Sequence, residues 1–184
     1  MSDGEVIAVY GGSFDPPHVA HTLVCAYVLS VERVDRVLVV PAAQHPFDKP
    51  LAPFAHRLRM CELALRDLRR VELSSIEHEL GGTSLTLRTL EALRAQRPDA
   101  RWRLVIGSDL VAETATWHRW DRIAELAPPL IVPRAGHPLA DGKPPLPEIS
   151  SSEVRRRLRG GESTVGLLDP QVAEYAIRHG LYRS

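Results

Sequence analysis

Residues 5–21 read Glu5-Val-Ile-Ala-Val-Tyr-Gly-Gly-Ser-Phe-Asp-Pro-Pro-His-Val-Ala-His21, and this stretch decides the fold. Its first part, Glu5–Tyr10, is a short apolar run rich in β-formers, followed directly by two glycines. That pattern predicts a buried strand that enters a tight turn. After Pro16-Pro17, the apolar periodicity of residues 18–33 predicts a helix. A strand, a glycine-rich turn and a helix in this order are typical of the first unit of a parallel sheet.

The rest of the chain repeats this alternation of strands and helices. We expect further strands at 36–40, 71–76, 102–106 and 130–132, and further helices at 56–68, 84–96, 116–126, 152–159 and 170–179. This order predicts an α/β fold with a doubly wound, mostly parallel sheet covered on both faces. Such folds bind ligands at the carboxyl ends of the strands, where the strand order reverses.

Composition limits the classes of protein to which the chain can belong. Its 184 residues predict a single domain, 1–184, with closing helices at about 150–184. The 23 basic and 23 acidic residues give no net charge, which argues against nucleic acid as a partner. The apolar run Val37–Ala43 has only seven residues, whereas about 20 are needed to span a membrane. Without an export signal, a cytoplasmic location fits best. No feature of the sequence specifies an oligomeric state.

The loop after the first strand has the composition of an anion site. Gly11 and Gly12 allow the backbone to approach a ligand closely, because glycine has no Cβ. The N–H groups at the start of the following helix favour negative charge. His18 and His21 are three residues apart, so they share one face of the first helical turn. Both can donate to phosphate oxygens, and we expect each to be cationic part of the time near neutral pH.

Two other interpretations of this loop remain open at this point. The segment could be a structural turn with polar capping residues. The two histidines could also be a zinc pair, although no third ligand is evident nearby. The segment is neither a Walker loop nor a dinucleotide fingerprint, since the spacing of its glycines fits neither. A phosphate cradle agrees best with the glycines and histidines together.

Two motifs resemble the nucleotidylyltransferases of the HxGH type. Gly12-Ser-Phe-Asp-Pro-Pro-His-Val-Ala-His21 looks like their first signature, with Ala20 where the family usually has glycine. Ile149-Ser-Ser-Ser-Glu-Val-Arg155 resembles their second signature. Within this superfamily, Gly81–Leu90 and Gly107–Trp120 resemble segments of the bacterial nicotinate-nucleotide adenylyltransferases, with Leu85 in place of a tyrosine. The resemblance covers nearly the whole chain and implies a Rossmann-like nucleotidylyltransferase fold.

The resemblance implies an enzyme of NAD biosynthesis with ATP and nicotinate mononucleotide as substrates. The mononucleotide phosphate would attack the α-phosphorus of ATP, giving nicotinate adenine dinucleotide and pyrophosphate. Positioning and charge neutralisation would then supply most of the catalysis. We expect Mg²⁺ to arrive with ATP, bound through its phosphates, and no metal held by the protein. The alternatives are a related adenylyltransferase for nicotinamide mononucleotide or pantetheine phosphate, or a non-catalytic nucleotide sensor.

The resemblance also assigns site residues. Those expected at the ATP phosphates or ribose are His18, His21 and Arg155 as catalytic groups, with Gly12, Ser13, Phe14, Asp109, Ser151 and Ser152. Those expected at the acceptor are Lys49, Thr83, Ser84, Leu85, Thr86, Trp117 and Arg134. Several of these residues have a simpler interpretation. Asp109 could cap a helix, Lys49 could be solvated, and Arg134 either holds a phosphate or closes a loop. On a predicted helix, Trp117 would face the substrate and Trp120 the core.

Overall fold

The computed structural model describes residues 4–44, 50–137 and 144–183. Its centre is a five-stranded sheet in which every pair of neighbouring strands is parallel, in the order β3-β2-β1-β4-β5. The strands are β1 Val6–Gly12, β2 Arg36–Pro41, β3 Val71–Leu73, β4 Arg101–Gly107 and β5 Pro129–Val132. The helices are α1 Val19–Val31, α2 Phe54–Leu65, α3 Ile76–Leu80, α4 Thr86–Gln96, α5 Trp120–Leu126, α6 Ser151–Gly160 and α7 Pro170–Arg178, with a 3₁₀ helix at Ser108–Thr116.

Helices cover both faces of the sheet, as the doubly wound prediction requires. Successive side chains of a strand point to opposite faces. Ile7 and Val9 of β1 therefore pack in one core cluster with residues of α4 and α5. Ala8 points the other way and packs in a second cluster with residues of α1 and α2. A smaller cluster around Met60 joins α6 and α7 to the outer side of α2.

The sheet has its topological switch point at β1. From β1 the chain moves to β2 and β3 on one side, and later returns to place β4 on the other side. The register pairs Val9 with Leu104, so β1 and β4 run together towards their carboxyl ends. Ligands of doubly wound folds bind in the crevice above such a point. The loops after β1 and β4 therefore form the two walls of the expected site.

Two segments differ from the sequence prediction. The strand expected at 71–76 ends at Leu73, and the short helix α3 begins at Ile76, whose N–H donates to Ser74 Oγ at 3.2 Å. The helix expected at 116–126 begins only at Trp120, because Arg119 adopts a left-handed conformation with φ 54°. The preceding 3₁₀ helix ends at Thr116. Of the helices described, none is long and apolar enough to span a membrane.

Candidate active site

The loop between β1 and α1 is shaped around the ring of Phe14. Phe14 is buried, has φ 47° and meets the ring of Tyr10 edge-on, with 5.4 Å between centroids. A Cβ on Gly12 would lie 3.1 Å from the Phe14 ring, closer than such contacts normally are. Because Gly12 has no side chain, the ring of Phe14 can pack against its backbone. Gly12 ends β1, and Ser13 and Phe14 follow it directly in the loop.

His18 and His21 form a stacked pair at the start of α1. Their ring centroids are 3.7 Å apart, and His18 is 3% exposed. The His18 backbone N–H donates to His21 Nδ1 at 3.0 Å, so the proton of neutral His21 must be on Nε2. His18 Nδ1 is buried and has no hydrogen-bond partner among the described residues. A buried ring nitrogen of this kind is costly unless a ligand pairs with it.

Burial makes both histidines neutral at physiological pH. Burial, together with a smaller effect of the nearby positive charge of Arg134, lowers the pKa of His18 to about 4. The pKa of His21 lies well below its usual value because of burial, the neighbouring His18 and Arg134. The expectation that both imidazoles are partly cationic is therefore wrong for the ligand-free protein. In this form they are neutral hydrogen-bond donors and acceptors.

The opposite wall, after β4 and β5, carries a guanidinium with a free donor. Arg134 Nη1 is buried and unpaired among the described residues, while Nε lies 3.7 Å from Asp109 Oδ1. The Arg134 backbone N–H donates to Ser108 Oγ at 2.9 Å, which fixes the start of this loop against the 3₁₀ helix. A Cβ on Gly107 would lie 2.2 Å from Asp109 Oδ1, so any larger residue there would displace the Asp109 side chain. Asp109 lies in the first turn of the 3₁₀ helix, whose N-cap is Gly107, so the capping interpretation is wrong.

The second signature lies against the first. Ser150 caps α6 by accepting from the Glu153 backbone N–H at 3.2 Å. Ser151 Oγ donates to the Pro16 carbonyl at 3.1 Å, which joins the start of α6 to the loop after β1. Arg155 donates from Nη1 to the Asp15 carbonyl at 2.7 Å and from Nη2 to Ser152 Oγ at 3.1 Å. The structure therefore brings Ser151, Ser152 and Arg155 to the loop of His18. Two nitrogens of Arg155 are already hydrogen-bonded to protein atoms.

Two buried charges around this loop are absent from the sequence prediction. The carboxylate of Asp15 accepts from Tyr182 Oη at 2.7 Å and from the Ala52 backbone N–H at 3.2 Å. Arg57 of α2 is 1% exposed and donates to backbone carbonyls of three separate loop residues. Its position one turn before buried Met60, on the apolar stripe of α2, is the signal that could have revealed it.

The predicted acceptor residues lie at the start of α4. Ser84 Oγ accepts from the Ala43 backbone N–H at 3.0 Å and from that of Gln44 at 3.4 Å. Leu85 is the N-cap residue and 41% exposed, and it gives no side-chain cap to the first turn. Thr83 is exposed and Thr86 is the first residue of the helix. The amides of this turn are therefore available to an anion.

Trp117 is positioned differently from the prediction. It follows the 3₁₀ helix as its C-cap and does not share a helix with Trp120, which begins α5. The two rings meet edge-on with centroids 5.8 Å apart, and both pack partly buried against the cluster that contains Ile7. The predicted division between a substrate-facing and a core tryptophan is thus not seen. Lys49 lies outside the described residues.

Comparisons with known proteins agree with the motifs. A family model described as cytidylyltransferase-like matches residues 9–157. The probable nicotinate-nucleotide adenylyltransferase of Anaeromyxobacter dehalogenans (strain 2CP-C) is 50% identical over 186 residues, which is 100% of both chains. That of Myxococcus xanthus is 40% identical and covers 96% of this chain and 94% of the relative.

Solved structures add the fold. A putative nicotinate-nucleotide adenylyltransferase from Vibrio parahaemolyticus aligns with a TM-score of 0.77 at 25% identity, over 98% of this chain and 96% of that one. The Plasmodium falciparum nicotinic acid mononucleotide adenylyltransferase complexed with NaAD aligns with a TM-score of 0.83 at 22% identity, over 97% of each chain. The fold and family expected from the two signatures are confirmed. The chain is an enzyme of the nicotinate-nucleotide adenylyltransferase family.

Proposed function

We propose that this chain transfers the adenylyl group of ATP to nicotinate mononucleotide and releases pyrophosphate. The observation that carries the proposal is a pair of buried side-chain nitrogens at the switch point that have no partner among the described residues. His18 Nδ1 and Arg134 Nη1 are both buried without partners, and Arg134 is close enough to lower the pKa of both histidines. A polyphosphate has the oxygens that would satisfy this site. The product-like ligand NaAD in the Plasmodium neighbour supports the same chemistry.

The reaction requires no general base. An oxygen of the mononucleotide 5′-phosphate, already an anion, attacks the α-phosphorus of ATP and forms a new P–O bond. The bond from that phosphorus to the bridging oxygen breaks, and its electron pair leaves with pyrophosphate. The neutral state of His18 and His21 suits this chemistry, because each imidazole then acts as a hydrogen-bond donor towards the phosphates. His21 offers its Nε2–H, since its Nδ1 already accepts from the backbone.

Burial increases the effect of these donors on the transition state. Charge that develops on the phosphoryl oxygens is stabilised more strongly by buried, fixed dipoles than by mobile water. Arg134 adds positive charge close enough to lower the pKa of both histidines, and Arg155 adds a second guanidinium bound to the Asp15 carbonyl of the same loop. Arg155 is anchored to the Asp15 carbonyl, so it would present its remaining donors in a fixed direction. ATP enters as its Mg²⁺ complex, with the ion on the phosphates and water.

Nicotinate recognition is proposed at the start of α4. The pyridine carboxylate is an anion, and the uncapped first turn after Leu85 offers backbone N–H groups to it. Ser84 Oγ is already used by the Ala43 and Gln44 amides, so its role is to hold the turn against the β2 loop. An amide in place of the carboxylate would bring its own N–H donors against this turn. That difference favours the acid over the amide.

An assay with a panel of acceptors tests the proposal. The purified chain receives ATP and Mg²⁺ with nicotinate mononucleotide, nicotinamide mononucleotide or pantetheine phosphate, and pyrophosphate release is measured. We expect kcat/KM to be at least tenfold higher for the nicotinate compound than for either rival. A preference for the amide or for pantetheine phosphate would contradict the acceptor assignment. ATP binding without pyrophosphate release from any acceptor would favour the nucleotide sensor.

A further inference from the structure

Arg57 is a buried cation whose hydrogen bonds reach two loops, the one after β1 and the one between β2 and α2. Its Nη1 donates to the Ser13 carbonyl at 2.8 Å, and its Nε to the Ala52 carbonyl at 2.8 Å. Its Nη2 donates to the Ala43 carbonyl at 3.4 Å, and its guanidinium lies 5.5 Å from the centre of the Phe54 ring. A buried charge is costly unless its donors are satisfied. Here the planar fork is satisfied by backbone oxygens, which fixes the relative positions of these loops.

The hydrogen bonds continue from Arg57 to the start of α4. Ala43 accepts from Arg57 through its carbonyl and donates through its N–H to Ser84 Oγ at 3.0 Å. The same N–H lies 3.3 Å from Glu77 Oε2, and Glu77 Oε1 accepts from the buried Thr89 Oγ1 at 2.9 Å. One continuous path therefore runs from Ser13, in the loop proposed for ATP, to Ser84, in the turn proposed for nicotinate.

We propose that Arg57 is a positioning residue that holds the ATP half-site and the acceptor half-site at the distance required for attack. The inference rests on the proposed function, because it assigns the two ends of the path to the two substrates. The acceptor phosphate and the α-phosphorus must approach closely and in line. Arg57 touches neither substrate. It fixes Ser13 and Ala43 relative to each other, and Ala43 fixes Ser84.

This role predicts a loss of rate without a matching loss of affinity. Each half-site retains its own donors when Arg57 is replaced, but their separation is no longer fixed. For Arg57→Met we expect kcat to fall about 30- to 100-fold, the size associated with a misplacement of about 1 Å. The Kd values of ATP and of nicotinate mononucleotide, each measured alone by calorimetry, should change by less than about threefold. Arg57→Lys should not rescue kcat, because an ammonium lacks the planar fork.

Arg59 offers a matched control on the same helix. Its side chain is 54% exposed and pairs with Glu62 at 2.6 Å. Arg59→Met removes the same charge from α2 and should leave kcat and both Kd values within about twofold of the wild type. Circular dichroism and thermal unfolding of all variants establish that each is folded before its kinetics are compared.

A double-mutant cycle keeps the inference testable if Arg57→Met does not fold. Ser84→Ala removes only the hydroxyl that accepts from Ala43, so we expect a three- to tenfold lower kcat with unchanged Kd values. In the Arg57→Lys/Ser84→Ala chain, the loss should be less than the product of the single losses, because both changes act through Ala43.

Three results would overturn the inference. The first is a kcat within threefold of wild type for Arg57→Lys or Arg57→Met. The second is a rise of the Kd values in proportion to the loss of kcat. The third is a loss of kcat in the double mutant that equals the product of the losses in the two single mutants. Failure of the wild-type chain to adenylate nicotinate mononucleotide is a different result and would contradict the proposed function itself.

Discussion

The ATP side and the acceptor side of the site are built in different ways. On the ATP side, residues 12–18 contain several buried side chains, namely Phe14, Asp15 and His18. On the acceptor side, residues 83–86 are largely accessible, and Leu85 is among the exposed large apolar residues. Side chains shape the first region, whereas backbone amides of α4 are the useful groups in the second.

The difference indicates where substitutions should matter. Buried donors act in a low-dielectric environment and are already oriented, so their removal should cause a large loss of catalytic rate. A turn that works through backbone N–H groups depends little on which side chains it carries. Leu85 stands where related enzymes usually have tyrosine, and its exposed position agrees with this tolerance. The predictions below test this contrast, beginning with the largest expected effect.

Removal of the His21 imidazole should have the largest effect on activity. We expect His21→Ala to lower kcat by about a hundredfold or more, as for the loss of one oriented transition-state donor. His56→Ala is a suitable control, since His56 pairs with Tyr175 on α7 and not with the loop after β1. Steady-state kinetics give the comparison. If His21→Ala stayed within threefold of wild type, His21 would have no part in catalysis.

Acidification should destabilise the ATP side. The pKa of His18 is about 4 in the folded protein, below the 6.5 of an exposed histidine. The unfolded chain therefore binds more protons between these values, so stability falls as pH drops from 6.5 to 4 and is unaffected by this group above 6.5. At about 1.4 kcal/mol per unit, the contribution of His18 is about 3 kcal/mol.

Urea unfolding measures this contribution. Between pH 7.5 and 4.5 the wild type should lose about 2 to 3 kcal/mol more of its unfolding free energy than His18→Gln, which does not titrate in this range. Equal losses for the two chains would show that His18 has an ordinary pKa.

A side chain at position 107 should disturb the ATP side moderately. The added Cβ of Gly107→Ala would lie 2.2 Å from Asp109 Oδ1 and 3.3 Å from Arg134 Cγ, so both side chains must move. We expect about a tenfold lower kcat/KM for ATP, about 1.4 kcal/mol of lost transition-state binding. Gly160→Ala is the control, because its Cβ would meet only the end of the flexible Glu162 side chain. Equal kinetics for the two alanine variants would contradict the role of Gly107.

Substitutions on the acceptor side should have the smallest effects. Leu85→Ala and Thr83→Ala leave the amides of the α4 turn in place. For both variants we expect the KM for nicotinate mononucleotide to change by less than about threefold, with kcat unchanged. A tenfold or larger increase in KM would mean that these side chains, and not the backbone, bind the acceptor.

The segment from β1 to the start of α1 was predicted best, because there the local sequence pattern determines the local structure. The apolar run before Gly11-Gly12 could only be a buried strand, and His18 and His21 had to share a face of the helix that follows. Their spacing could not reveal their charge. The low pKa values depend on burial and on Arg134, which comes from a loop more than a hundred residues later in the chain.

Other features depended on contacts that no local pattern records. Arg57 is satisfied by carbonyls of Ser13, Ala43 and Ala52, which only the folded sheet brings together. The buried face of α1 was equally hidden, because this helix is apolar on most sides. Its buried residues include Ala20 and Cys25, whereas Leu23 and Ala26 are only partly buried. Trp117 is not part of the predicted helix, because the left-handed conformation of Arg119 delays the start of α5 to Trp120.

The charge state of the histidine pair tests the account most directly. The ¹⁵N chemical shifts of the imidazoles can be measured at pH 7 in the ligand-free protein, with His18→Gln and His21→Ala used to assign the signals. We predict that both rings are neutral, with His21 protonated on Nε2 and not on Nδ1. Neither ring should become an imidazolium as the pH is lowered to 5.5. An imidazolium signal from either histidine at pH 7 would contradict the central claim, that buried neutral donors receive the phosphates.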